Sequence, residues 1–161
     1  MAPIDMMGYD WLMHSTEFPD SFYRVTIKGL CVRDGKVMLV HESKDRSDKW
    51  ELPGGGLDFG EDIVGGFKRE IQEEMVLSII KMSKSPIYVW THKYVGRRNL
   101  QWYYSCVIAY RVEFEDLNIT PTDECDRIQF FSKEELRGLP FAGQLDEFPS
   151  IFDPKDFAGT F

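Results

Sequence analysis

Apolar residues along this chain change period, and each change marks an element. Phe22 to Val32 is rich in β-branched and aromatic residues and reads as a strand. Asp34-Gly35 follows as a hairpin turn, and Val37 to His41 returns as a second strand. Glu42 to Lys49 is a charged loop, and Trp50-Glu51-Leu52 is a short strand closed by Pro53 and three glycines. The spacing then lengthens. Ile63, Phe67, Ile71 and Met75 recur every four residues, which is the buried stripe of a helix. The helix is expected to open near Glu61, with Glu61 and Asp62 in its first turn, where carboxylates favour the positive end of the dipole. Gly65-Gly66 inside it costs about 1 kcal/mol per glycine relative to alanine. Either another backbone approaches closely there or the helix is locally loose.

Strand patterns return at Ile79-Ile80, at Ile87 to Trp90 and at Leu100 to Phe114, with Gly96-Arg97-Arg98-Asn99 as a turn. Ile128 to Phe131 is the last strand, and Ser132 with Glu135 forms a capping box that opens a short helix through Leu136. From Gly138 the tail carries three prolines and several phenylalanines, and an irregular wrap over the core is expected. Residues 1–20 are rich in Met and aromatics without a period. Met6, Met7, Trp11 and Phe18 either pack on the domain, reach a second subunit or fray, so a homodimer is one expectation. Strands, helix, strands and helix within 161 residues predict one α/β domain spanning 1–161, with helices on both faces of a mixed sheet.

Composition narrows the partners. The chain is 43% apolar and carries a net charge of −8, from 19 basic and 27 acidic residues. Nucleic-acid backbones favour a basic balance, so none is expected as the main partner. Cys31, Cys106 and Cys125 are too dispersed for a disulfide framework or a metal site, and Cys31 and Cys106 read as buried thiols. No apolar run approaches the roughly 18 residues of a membrane span, and no secretory signal is visible, so a cytoplasmic protein is expected.

The chemistry concentrates on the helix. Glu70, Glu73 and Glu74 lie three and four apart, as neighbours on its surface. Like charges so placed repel, and Arg69 supplies only part of the counter-charge. A divalent cation supplies the rest, and hard Mg²⁺ takes oxygen ligands of this kind.

Gly55 to Leu77 resembles the Nudix box, G-x5-E-x7-R-E-U-x-E-E-x-G-U, where U is aliphatic. Gly55, Glu61, Arg69-Glu70-Ile71, Glu73-Glu74 and Leu77 match, which is eight of nine fixed positions. Val76 stands where the family has glycine, a position at which the helix ends and the left-handed conformation suits glycine. Trp50 to Gly56, Phe130-Phe131 and Glu134-Glu135-Leu136 are also similar to Nudix domains.

The resemblance implies a Nudix-type α/β/α sandwich with a mixed central sheet. It also implies a Mg²⁺-dependent, or Mn²⁺-dependent, hydrolase that cleaves a nucleoside diphosphate linked to another moiety, with water attacking phosphorus. Glu70, Glu73 and Glu74 would hold the metal, with a backbone carbonyl near Gly54-Gly55 as a further ligand. Arg69 would orient these carboxylates, and Glu61 would either act behind the ligands or brace the loop. Gly54, Gly55 and Gly56 would let backbone N–H groups approach phosphate. Glu124 is the candidate general base, with Asp123 and Asp126 as competitors. Arg97 and Arg98 read either as a solvated turn or as phosphate or ribose contacts. Tyr94 reads either as packing or as a substrate contact. The rival reading is a Nudix-like domain that binds a nucleotide without turnover, against which the intact set of Arg69 and three glutamates counts.

Overall fold

The computed structural model describes residues 23–42, 48–95, 102–159 and 161. The aromatic arm of residues 1–20, and with it the dimer expectation, lies outside them, as do Arg97 and Arg98.

Among the described residues, eight strands form two four-stranded sheets. In the first, β7 (Trp102–Phe114) is the axis. β1 (Tyr23–Leu30) runs parallel to it, from Tyr23 opposite Tyr104 to Leu30 opposite Arg111. On the other edge β5 (Ile79–Met82) and then β6 (Tyr88–Val95) run antiparallel to β7. The parallel pair makes the sheet mixed. In the second sheet β3 (Lys36–His41) lies between β8 (Arg127–Phe131) on one side and β2 (Val32–Arg33) and β4 (Trp50–Glu51) on the other, all antiparallel. The turn between β2 and β3 has positive φ at Asp34 (49°) and Gly35 (74°), the backbone that the Asp-Gly pair favours.

Alternation along β3 splits the core in two. Met38 and Val40 face the long helix α1 (Ile63–Met75), where Phe67, Ile71 and Met75 are fully buried. Val37 and Leu39 face the opposite way, onto Phe131, Leu136, Phe148, Phe152 and Phe157. Helical pieces on both faces of mixed sheet give the expected sandwich. The tail is more than a wrap. With α2 (Lys133–Leu136), its turns, including α3 (Phe148–Ile151), form one wall of the second core, and the indole of Trp90 donates to the Gln144 carbonyl at 2.9 Å. Ser132 and Glu135 close the expected capping box.

The start of α1 differs from the sequence expectation. Asp62 is its N-cap, accepting the Gly65 N–H at 2.9 Å, so neither Glu61 nor Asp62 lies in the first turn. Glu61 sits outside the helix because Asp62 competes better for the cap. The second of the paired glycines also gains a cause. A Cβ on Gly66 would lie 2.5 Å from Leu57 Cδ1 and 2.8 Å from Glu61 Oε2. Two side chains, not a backbone, make the close approach. The helix ends where the family glycine would end it: Val76 adopts the left-handed conformation (φ 58°, ψ 39°), and its N–H bonds the Gln72 carbonyl. Cys31 and Cys125 are buried thiols, whereas Cys106 is only half-buried.

Candidate functional site

The glycine loop after β4 lies along the edge of β1 that β7 leaves open. Gly29 N–H donates to Pro53 O, Ile27 N–H to Gly55 O, and Leu57 N–H to Val25 O, each at 2.9 Å. Gly54 has φ 106°, which an L side chain rarely adopts. Gly55 is a requirement of space, since a Cβ there would collide with the Glu70 carboxylate. The loop and α1 are therefore fitted to each other side chain against backbone.

The three helix carboxylates sit in different surroundings. Glu73 is 57% exposed, while Glu70 is mostly covered. Glu74 is only 9% exposed, and its carboxylate accepts the Gly54 N–H at 2.8 Å. Burial pushes Glu74 up to about 8; Lys28 and the Gly54 N–H pull it down, and Glu51 and Glu124 add to the rise. Sequence periodicity set all three glutamates mostly off the buried stripe. Glu74 departs from that because it follows Ile71 by three residues and so turns toward the sheet.

Arg69 ties the cluster together. Nε and Nη2 hold the two oxygens of Glu61 at 2.7 and 2.8 Å, a bidentate pair. Nη1 donates to Glu70 Oε1 at 2.9 Å and to Glu73 Oε2 at 3.2 Å, and Nη2 reaches the Gly56 carbonyl at 3.3 Å. The bonds from Arg69 and from the Asp58 N–H hold Glu61 down at about 2. The bonds from Glu61 and Glu70 raise Arg69 in turn. One guanidinium thus joins the loop before the helix, the glycine loop and two helix carboxylates.

These groups open onto a pocket of about 850 Å³. Gly54, Gly55 and Gly56 line it with Glu70 and Glu74, and Asp123 and Glu124 form another part of its wall. The loop bearing Glu124 is stitched to the end of α1: Thr122 Oγ1 donates to the Glu74 carbonyl at 2.7 Å, and the Thr120 N–H to Met75 O at 3.2 Å. Asp126 is drawn elsewhere, onto His41 Nδ1 at 2.9 Å. Tyr94 lies in β6 by its backbone, and its side chain is outside the described residues.

Sequence reasoning missed the opposite wall. Arg24, Thr26 and Lys28 alternate along β1 and all line the pocket. His92 and Lys93 of β6 join them, and Ala142 to Gln144 close the wall from the tail. The signal was present: polar residues at period two within an apolar strand mark a face that meets something other than core. Lys28 is 2% exposed, and its ammonium binds Glu51 Oε1 at 2.7 Å and the Gly54 carbonyl.

The donors suit a hard divalent cation. All are oxygens, and Arg69 and the Gly54 N–H engage one oxygen each of Glu70, Glu73 and Glu74, leaving the second oxygen of each to other partners. Among the described residues no three acidic, histidine or cysteine side chains close on one point. Mg²⁺ in such a setting is held by one or two carboxylates with water and substrate phosphates.

Comparison with known proteins bears on the fold and the family. A protein from Nitrobacter winogradskyi named RNA pyrophosphohydrolase is 27% identical over 133 residues, covering 71% of this chain and 76% of its own. One of the same name from Ruthia magnifica is 34% identical over 61 residues, which is 38% of this chain and only 34% of that protein. The crystal structure of a MutT protein from Methanosarcina mazei superposes with a TM-score of 0.66 at 18% identity, covering 86% of this chain and 99% of the other. The NUDIX domain pattern matches residues 22–152, and on that extent the chain belongs to the Nudix hydrolase family.

Proposed function

We propose that this protein is a Mg²⁺-dependent pyrophosphohydrolase that cleaves a nucleoside diphosphate linked to another moiety, by attack of water on phosphorus. The observation that carries the reading is the Arg69 clamp. It gathers Glu61, Glu70 and Glu73 beside the Gly54–Gly56 loop, and Glu70 lines the pocket there together with Glu74 and Glu124. Glu70, Glu73 and Glu74 would hold the ion, which neutralises the phosphates and stabilises the departing oxygen.

The remaining roles belong to the chain. Arg69 fixes the orientation of the carboxylates, and Glu61 braces Arg69. The glycine loop brings backbone close to the phosphates. Glu124 is the proposed base: it lines the pocket, and its loop is pinned to α1 through Thr122. Asp123 lines the same wall and is the alternative, whereas the bond to His41 counts against Asp126. A cytoplasmic setting goes with the three unpaired thiols.

A panel of nucleotides with Mg²⁺ and Mn²⁺, read as released phosphate and pyrophosphate, tests the proposal. The names of both curated relatives bring a 5′-triphosphorylated oligoribonucleotide into that panel. Tight binding of one member with no release from any would favour the binding-only reading.

A further inference from the structure

A fully buried lysine at the centre of a strand needs a reason. Removing an ammonium from water is costly unless partners replace the lost hydration. Lys28 has such partners on the floor of the pocket. Its ammonium lies between Glu51 Oε1, at 2.7 Å, and the carbonyl of Gly54. The N–H of that same Gly54 holds Glu74 at 2.8 Å. Gly55 offers its carbonyl to Ile27 N–H instead, so of the two carbonyls only Gly54 carries a cation.

We propose that Lys28 is a resident cation of the site, occupying the place that the Gly54 carbonyl offers a divalent ion. This rests on the metal-dependent reading above. An ion ligated by that carbonyl would sit about 2.1 Å from the oxygen. The ammonium would then be only a few ångströms from it, and the two positive charges would repel. Metal entry therefore requires Lys28 to withdraw from the carbonyl. Glu51 is where it withdraws, because the salt bridge to Glu51 is already formed and Glu51 is itself held by the side-chain amide of Gln144. Lys28 and Glu51 together set how much divalent cation the site needs before it fills. Until then the ammonium stays balanced by Glu51.

Mn²⁺ binding to the full chain without substrate, followed by the electron paramagnetic resonance of free Mn²⁺, tests this. Lys28→Met removes the competitor at similar length, and affinity should rise at least tenfold. Glu51→Gln removes the refuge, and affinity should fall. The double variant K28M/E51Q buries no unpaired charge and should bind as tightly as K28M; it covers the case in which K28M does not fold. Affinity in K28M or in the double variant that is unchanged or weaker than wild type overturns the proposal. Glu74→Gln separates the two readings. If it leaves Mn²⁺ binding intact, the metal assignment itself fails, whatever Lys28 does.

Discussion

Val76 holds a conformation that its side chain resists, and the cost can be measured. A left-handed backbone places Cβ against the following carbonyl and costs an L-residue roughly 1–2 kcal/mol. Val76 sits there with φ 58° and ψ 39°, and its side chain is 44% exposed. Glycine removes the clash but gives back about 0.4–1 kcal/mol through a freer unfolded chain. Val76→Ala is the proper reference, because it loses the same half-buried methyl groups and keeps a Cβ. Val76→Gly should therefore be more stable than Val76→Ala by about 0.5–1 kcal/mol. In a domain of this size that is roughly 1–4 °C in Tm. Calorimetry and urea midpoints at constant m-value would measure it. A Val76→Gly variant that melts at or below Val76→Ala would show that the left-handed backbone carries no such cost here. It would mean that the helix end relaxes when the side chain is trimmed.

Replacing Glu73 and Glu74 together with Gln should lower Mg²⁺-dependent phosphate release below detection while the fold survives, as read by circular dichroism. Arg69→Lys should cost about 10–100-fold in turnover, since one ammonium cannot hold Glu61 bidentately and still reach Glu70 and Glu73, and rate assays at saturating Mg²⁺ would show it. Glu74 titrates near 8 in the metal-free fold, above its unfolded value, so the stability it contributes is present at low pH and is lost as pH rises through about 8. Below that pH the ion must displace its proton. Mn²⁺ affinity should climb toward pH 8, with proton release that calorimetry in buffers of different ionisation enthalpy would count. Glu61 has the opposite sign: its contribution is present above the ordinary carboxylate range and is lost only as pH falls through about 2, so an acid melt should show the clamp outlasting ordinary surface pairs.

The parts of this molecule that local rules govern were legible in advance. The Asp34-Gly35 turn, the Phe67-Ile71-Met75 stripe and the Ser132–Glu135 box each follow from a few adjacent residues. What was not legible depends on distant segments meeting. Lys28 reads as an odd polar residue in a strand until Gly54, 26 positions later, lies beside it. Glu74 reads as one surface carboxylate among three until the sheet covers it. Gly65-Gly66 read either as a close backbone approach or as a loose helix, and at Gly66 the cause is room for the side chains of Leu57 and Glu61. Glu61 was misplaced for a smaller reason: both acidic neighbours read as first-turn residues, although Asp is a preferred N-cap and Asp62 takes that place.

The tail has a consequence in time. Phe148 and Phe152 fill one core, and Ala142 to Gln144 wall the pocket, yet these residues are made after every carboxylate of the box. During synthesis the helix, the glycine loop and β1 can meet while that wall is still missing. A nascent chain therefore carries its chemistry before it carries the enclosure in which to use it. The pocket gains this wall only once residues 142–144 have followed the box out of the ribosome.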